Sequence, residues 1–298
     1  MSQQKVRKAI IAAAGFGTRF LPQTKAMPKE MLPLVGKPII QHIVEELVDA
    51  GITDIVIVTG YHKRTIEDHF DHMSADLKAN LEQAGKQDLL AETTRISGLA
   101  DFAYIRQKGP YGTGTPLVNA AHLIGSEPFV YTFADDFIDA KPTRFRQLID
   151  AQTAHGGSVI SCVRRGDDAD YKRYGYVAGD EVVPGLVDIK TIVEKPGSRE
   201  QAPSDLASVS GYVFDPIILE YLHKQLQQHN EEDGEFMMQD SMQRMINDGH
   251  HIYGCDVKDG IYYDTGNPLE YLKTVFDFAL QREDIGPDLE AHLRKKLG

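Results

Sequence analysis

The stretch KAIIAAAGFGTRFLPQTKAMPKEMLPLVGKPII, residues 8–40, decides the fold. Its opening, KAIIAAAG, is the near-continuous apolar run of a strand buried on both faces, closed by Gly15. At its far end Pro38 can open a helix in which Ile39, Ile40, Ile43, Val44, Leu47 and Val48 form one apolar stripe, with Gly51 placed to cap the C-terminus. A second buried strand, DIVIVTG, follows at 54–60. Strand, helix, strand is a βαβ crossover, and it implies a parallel sheet.

The loop between strand and helix is unusual. Gly15 and Gly17 permit close approach of backbone to a phosphate, and Arg19, Lys25 and Lys29 follow. A dinucleotide fingerprint would place a third glycine near position 20, where Phe20 stands, and start a helix at once. Here Pro22, Pro28 and Pro33 forbid a regular helix. Gly36-Lys37 runs into Pro38 rather than into Ser or Thr, which excludes a P-loop. A tight turn with solvated basic residues is the simpler alternative, but the loop's length and lack of acids favour an anion site.

Charge supports that reading. The chain of 298 residues has a net charge of −12, yet residues 1–29 carry six cations and no acid, leaving −18 for the remainder. A cationic pocket in an acidic protein suits a small anionic ligand with a bound metal, and argues against sequence-independent nucleic-acid binding. MSQQKVRK leads into an apolar stretch too short for a secretory signal, and no run approaches a membrane span, so the expected location is cytoplasmic. Cys162 and Cys255 have no paired spacing and are expected as buried free thiols.

Strand and helix patterns alternate onward through FAYIRQ (102–107), PFVYTFAD (128–135) and SVISCVR (158–164). Residues 175–214 change to short β-like runs between turns, expected as an antiparallel or mixed extension over one end of the sheet. Helices near 216–229 and 237–248 precede a strand HIYGCDV, a short GIYYDTG and a long helix from 268, so that 265–298 forms a C-terminal helical segment. The expected fold is a Rossmann-like α/β domain spanning 1–298, with a mixed, mainly parallel sheet flanked by helices and a small β extension.

Ligands of such sheets sit at the carboxyl ends of the strands. There FADDF (133–137) ends a strand in Asp135-Asp136, and because adjacent side chains diverge from an extended backbone, at most one faces the site. A carboxylate there suits Mg²⁺, which takes one or two carboxylates plus phosphate and water. A cap or loop acid is the alternative. Asp264 in YYDTGN is a second candidate, with an Asx turn as its alternative. Glu194-Lys195, at the end of TIVEKPG, could bind sugar hydroxyls and a phosphate, or form only a surface ion pair. His69 and His72, among Asp68 and Asp71, have the spacing of a solvated helix face rather than of a metal site.

Together these residues resemble the bacterial UTP–glucose-1-phosphate uridylyltransferases of the sugar-nucleotidyltransferase superfamily. GxGTR, LPxTKxxPKEMLP and GKPI occur in the family's order and spacing, followed by RQKGPYGTG, FADD, YGYV, VEKP and DTGN. The resemblance implies attack of glucose 1-phosphate on the α-phosphorus of UTP with Mg²⁺, giving UDP-glucose and pyrophosphate. It implies a catalytic set in which Arg19 polarises the departing pyrophosphate, Lys29 contacts the reacting phosphates and Lys195 grips the sugar phosphate. Asp135 and Asp264 would hold the metal. Ala14, Gly15, Gly17, Glu30, Gln107 and Gly112 would bind the nucleotide, and Gly175 and Glu194 would line the glucose. Family members are typically dimers or tetramers, so a homo-oligomer is expected; the apolar C-terminal helix with Tyr271, Leu272, Val275, Phe276 and Phe278 could supply an interface or, as the simpler reading, only core.

Two departures stand out. VSGY at 209–212 replaces a pattern close to VGRY, which bears on the sugar contact, and GTGTP replaces GxGHA, leaving Thr115 and Pro116 without a family role. The rival readings are a thymidylyltransferase or another sugar-1-phosphate nucleotidyltransferase, a non-catalytic regulatory paralogue, and, disfavoured by the loop, a nicotinamide dehydrogenase.

Overall fold

The protein was analysed as a computed structural model, which describes residues 5–297; the first four residues of the MSQQKVRK leader and Gly298 lie outside the described residues. In chain order, strand β1 (Lys8–Ala13) leads through the 14–32 loop to a short ribbon, β2 (Pro33–Leu34) and β3 (Lys37–Pro38), and then to helix α1 (Ile39–Asp49) and β4 (Asp54–Thr59). Helices α2 (Arg64–Phe70), α3 (Ala75–Gln83) and α4 (Gln87–Ser97) precede β5 (Asp101–Arg106), α5 (Thr115–Ile124), β6 (Phe129–Phe133) and β7 (Asp136–Ala140). The second half contains α6 (Arg144–His155), β8 (Ser158–Arg164), β9 (Gly175–Val183), β10 (Leu186–Glu194) and β11 (Leu206–Phe214). It ends with α7 (Ile217–Gln228), α8 (Met238–Asn247), β12 (Ile252–Asp256), β13 (Gly260–Asp264), α9 (Pro268–Leu280) and α10 (Gly286–Leu297).

Nine strands form one sheet in the order β5-β4-β1-β6-β11-β8-β12-β10-β9. The βαβ unit is as the sequence predicts, with β1 parallel to both β4 and β6. Period-two alternation divides β1 between two cores: Ala9, Ile11 and Ala13 pack with α1 and α6 on one face, and Ile10 with α5, α7 and α8 on the other. Each fully buried Ile or Leu in these layers is worth about 1.5–3 kcal/mol of transfer free energy. Pro38 is the N-cap of α1, and Gly51, at φ 96°, supplies the left-handed residue after its C-terminus.

The β extension behaves differently from the expectation for 175–214. β9 and β10 form an antiparallel edge, but β11 enters the centre of the sheet, antiparallel to both β6 and β8. LASVSGYVF is buried along nearly its whole length, as a central strand requires. A register shift between Ser208 and Tyr212 bulges β11 at the VSGY segment. There Gly211 lies at φ 115°, and a Cβ on it would come within 3.0 Å of Arg144 Cδ. Buried Arg144 uses that space to donate to Ser210 O at 2.7 Å and to the Glu46 carboxylate at 2.9 and 3.1 Å.

A two-stranded ribbon stands apart from the main sheet. β7 pairs antiparallel with β13, placing Asp264 opposite Asp136. Both cysteines are buried and free, on β8 and β12. Among the described residues no helix is long and apolar enough to cross a membrane.

Candidate active site

The 14–32 loop folds as its prolines dictate: three separate 3₁₀ turns, Thr18–Phe20, Gln23–Lys25 and Lys29–Met31, broken at Leu21–Pro22 and again before Pro28. Gly17, at φ 66°, starts the first turn, and Thr24 Oγ1 donates to Gly17 O at 2.8 Å, tying the first turn to the second. The loop thereby curls over the C-terminal ends of β1 and β6, bringing Arg19 and Lys29 to Asp135.

Asp135 is the hub. Lys29 Nζ pairs with its Oδ2. Burial alone would raise the Asp135 carboxyl, but Lys29, Lys63 and Arg19 outweigh it and hold the group below its ordinary range. Burial would likewise lower the Lys29 ammonium, but Asp135 and Glu30 raise it. Asp136 points the other way, its Oδ2 accepting from Ser210 N at 3.2 Å and from Tyr262 OH at 3.0 Å. Burial pushes Asp136 up to about 6 against the pull of Arg144. The two side chains diverge, but Asp136 still borders the smaller cavity; Asp135 is the one that borders both.

The ribbon delivers the second carboxylate from 129 positions further along the chain. Thr265 donates to Asp135 O through both its N–H, at 3.0 Å, and its Oγ1, at 2.7 Å. Asp264 Oδ1 accepts from Gly266 N at 2.8 Å, while Oδ2 pairs with Arg173. Arg19 Nη1 donates to Gly266 O at 3.2 Å. A Cβ added at Gly266 would sit 3.0 Å from Asp264 Oδ1 and 3.1 Å from Asp135 Oδ2, so the two carboxylates converge on a common point from which a side chain is missing. Two hard oxygen donors converging beside a cationic loop fit a divalent cation that also takes phosphate oxygens. Asp135 and Asp264 are the residues that would hold it.

Two cavities meet at Asp135. The larger, about 900 Å³, is bounded by the backbone of Ala14 and Gly15, by Arg19 and Lys29, by Gln107 and by the 110–113 loop. At its mouth the exposed rings of Phe16 and Tyr111 lie 5.2 Å apart between centroids. The Gln107 backbone N–H joins Thr59 O at 2.9 Å, and its carboxamide has no hydrogen-bond partner among the described residues. Gly112, at φ 135°, lies so close to the Phe236 backbone that no Cβ would fit. The GTGTP segment then acquires a structural role, with Thr115 Oγ1 donating to Pro110 O at 2.5 Å and Pro116 in the first turn of α5.

The smaller cavity, about 200 Å³, is polar and lies against the bulged strand, with Asp135, Asp264, Glu194, Ser208 and Tyr174 among its walls. Glu194 sits opposite Gly175 in the β9–β10 register, and a Cβ on Gly175 would meet Glu194 Oε2 at 2.7 Å, so glycine leaves room for the carboxylate. Burial raises the Glu194 carboxyl against the pull of Lys195. Ser210 is tied back into the sheet by Phe133 N at 2.8 Å and Thr132 Oγ1 at 2.9 Å.

Two expected site residues are placed less directly. Glu30 is buried, with both oxygens on Lys63 Nζ at 2.6 and 2.7 Å; it borders the larger cavity as the support beneath Lys29 rather than as a free acceptor. Burial pushes Glu30 up and Lys63 down, each drawn back by the other. Lys195, left-handed at φ 46°, has its side chain 57% exposed and Nζ 3.7 Å from Glu194, and neither it nor Gly17 is among the residues that line the two cavities. Lys63, Arg173 and Gln239 belong to the site without having been singled out in the sequence. Arg173 could have been suspected from its place beside the YGYV motif; Lys63 and Gln239 carry no local signal. His69 is engaged with Gln41 Oε1 at 3.0 Å.

Comparison with known proteins places the whole chain among relatives. A UTP–glucose-1-phosphate uridylyltransferase of Bacillus subtilis (strain 168) is 44% identical over 297 residues, covering 98% of this chain and 99% of that protein. A protein of the same name from Staphylococcus epidermidis is 41% identical over 292 residues, covering 98% of this chain and 99% of its own. Among solved structures, UTP-bound UGPase from Acinetobacter baumannii matches with a TM-score of 0.86 at 30% identity, over 97% of this chain and 98% of that one. A UDP-glucose pyrophosphorylase complexed with UDP-glucose matches with a TM-score of 0.80 at 32% identity, over 93% of this chain and 100% of that one. The model of the nucleotidyl transferase family matches residues 8–280, and the chain belongs to that family.

Proposed function

We propose that this protein is a UTP–glucose-1-phosphate uridylyltransferase, joining UTP to glucose 1-phosphate to give UDP-glucose and pyrophosphate in the cytoplasm. The observation that carries the reading is the pair of cavities that share Asp135, one large with a cationic rim, the other small and polar. A nucleoside triphosphate in the first and a sugar phosphate in the second would bring their phosphates together beside Asp135. The names of the relatives, at up to 44% identity over nearly the full length, support the choice of uridine and glucose.

The phosphate of glucose 1-phosphate is mostly dianionic at neutral pH, its second pKa being about 6, so its oxygen attacks the α-phosphorus without a general base. No histidine is then required. The bond from that phosphorus to the bridging oxygen of pyrophosphate breaks as the new one forms, and the leaving group departs in line. Catalysis becomes positioning plus charge neutralisation. Arg19 draws charge onto the leaving pyrophosphate, and Lys29 bridges the reacting phosphates. Lys195, with its exposed side chain, reaches the sugar phosphate. Gln107 pairs with the uracil edge, while the backbone at Ala14, Gly15, Gly17 and Gly112 lets the nucleotide lie close. Gly175 and Glu194 receive the glucose, and buried Glu30 holds the loop beneath Lys29. Mg²⁺ on Asp135 and Asp264, when bound, neutralises charge on the phosphates and fixes their geometry.

A homo-oligomer of the family's kind also fits this chain. On α9, Tyr271, Val275 and Phe278 pack inward, while Leu269, Leu272, Phe276 and Leu280 remain exposed at helical spacing.

A matrix of nucleoside triphosphates against sugar 1-phosphates, read as pyrophosphate release with and without Mg²⁺, tests the function. UTP with glucose 1-phosphate and Mg²⁺ should give the highest turnover. Turnover with dTTP but none with UTP would reassign the enzyme as a thymidylyltransferase, and no turnover with any pair would favour a regulatory paralogue.

A further inference from the structure

Gln239 stands at the start of α8, whose face toward the smaller cavity carries Gln239, Met242 and Gln243 at i, i+3 and i+4. Met242 lines the cavity, and Gln243 Oε1 accepts from Ile192 N at 3.4 Å, so this face is fixed against β10. The helix start is fixed as well: Gln225 Nε2 donates to Met237 O at 3.0 Å, and Ser241 Oγ donates to Gln225 Oε1 at 2.5 Å. The Gln239 side chain is then held at its tip by the loop of the other cavity. Thr113 Oγ1 accepts from Met238 N at 3.0 Å and donates its own proton to Gln239 Oε1 at 3.2 Å. Thr113 O in turn accepts from Tyr131 OH at 2.7 Å. With the carbonyl end of the amide tied to Thr113, the amide NH₂ is the free end, and it has no hydrogen-bond partner among the described residues.

An amide anchored through its oxygen, on the wall of a small polar cavity, is a donor waiting for an acceptor. Arg173, Tyr174, Ser208 and Tyr262 bring donors from other elements, whereas the acidic walls, Asp135, Asp136, Glu194 and Asp264, are carboxylates that accept hydrogen bonds. They can receive the protons of sugar hydroxyls but cannot donate to the hydroxyl oxygens. Gln239 supplies the donor this lining otherwise lacks at α8.

We propose that Gln239 is a sugar-recognition residue whose carboxamide NH₂, oriented by Thr113, donates to a ring hydroxyl of the sugar 1-phosphate. The inference rests on the proposed uridylyltransferase reading. It makes the nucleotide loop part of the sugar site, because the residue that orients the amide lines the nucleotide cavity.

Steady-state kinetics of Gln239→Ala and of the isosteric, acceptor-only Gln239→Glu test it against glucose 1-phosphate and its 2-, 3-, 4- and 6-deoxy analogues. Loss of one neutral hydrogen bond predicts that Gln239→Ala raises KM for glucose 1-phosphate about five- to tenfold. KM for UTP should stay within twofold. Gln239→Glu should lose at least as much as the alanine variant, since its carboxylate adds a like charge near Glu194. One deoxy analogue should be as poor a substrate for wild type as for Gln239→Ala, identifying the hydroxyl that the amide contacts. If wild type turns over UTP and glucose 1-phosphate but both variants keep the glucose 1-phosphate KM within twofold, the proposal is overturned while the function stands. A parallel rise in both KM values, or equal discrimination by wild type and variant at every deoxy position, overturns it as well. Absence of wild-type turnover defeats the underlying reading, and this inference with it.

Discussion

Lys29 and Asp135 lie 106 positions apart and meet as an ion pair at the junction of the two cavities. The pairing keeps Asp135 ionised at any working pH, because Lys29, Lys63 and Arg19 outweigh its desolvation. Asp135→Asn should therefore lower kcat by about 10³-fold, the equivalent of roughly 4 kcal/mol of lost charge stabilisation, with the melting temperature nearly unchanged. Asp264→Asn should do the same, and for both variants raising Mg²⁺ should recover little. Pyrophosphate release measured beside a thermal melt checks this; near-normal kcat in either variant would remove that residue from the proposed metal site. These residues were legible because their signal is local: acids closing apolar strands, and cations in a stretch that carries no acid before Glu30. Lys63, Arg173 and Gln239 were not, since each takes its role from a partner 33, 91 or 126 positions away. In the sequence they sit among ordinary surface charges and helix residues.

At the scale of elements, the β7–β13 ribbon positions the carboxylates, and α1 and α9 support the ribbon. His42 on α1 stacks on Phe137 of β7 at 5.6 Å and 11°, and meets Phe278 of α9 edge-on at 5.1 Å. Its Nε2 is buried without a hydrogen-bond partner among the described residues, and burial, with Lys37 nearby, lowers its pKa to about 4. Between pH 6.5 and about 4 the unfolded chain therefore binds a proton that the folded protein does not, so the fold loses stability as pH falls through that window. The full loss is roughly 3 kcal/mol. His42→Phe removes the titration and keeps an aromatic ring between its neighbours. Urea melts should give it a stability advantage over wild type that grows steadily from pH 7 to pH 4.5; a constant difference across that range would contradict the buried neutral imidazole. The ribbon was only half legible. GIYYDTG has the look of a strand, but DFIDA directly follows a strand end and reads as its continuation. Only pairing with β13 shows the chain breaking at Asp135 to start a new strand. The same holds for β11: its run reads as a β-like segment of an extension, while its insertion between β6 and β8 is set by long-range pairing that no local pattern encodes.

The whole molecule turns on that insertion. Because β11 joins β6 to β8, the strands beneath the larger cavity and those beneath the smaller one belong to one hydrogen-bonded sheet. Both core layers cross the junction: Val130 and Val159 pack in one, Tyr131 and Ile160 in the other. Buried Arg144 adds a tie, since it links Glu46 of α1 to Ser210 of β11, and removing one partner from such a pair costs about 3–5 kcal/mol. The chain should therefore unfold as one cooperative unit, including the segment 175–214 that the sequence sets apart as an extension. UTP, which on the proposed reading needs only the larger cavity, should then raise a single melting transition for the entire protein. At a hundred times its Kd the gain is about 2.7 kcal/mol, which for a chain of this length corresponds to about 4 °C. UDP-glucose, reaching into both cavities, should move the same transition by the same amount at the same multiple of its own Kd, because linkage depends on saturation and not on which strands are touched. Calorimetry with each ligand decides the matter. Two transitions, or a UTP shift that leaves a separate β9–β10 transition in place, would divide the molecule into independent parts at β11.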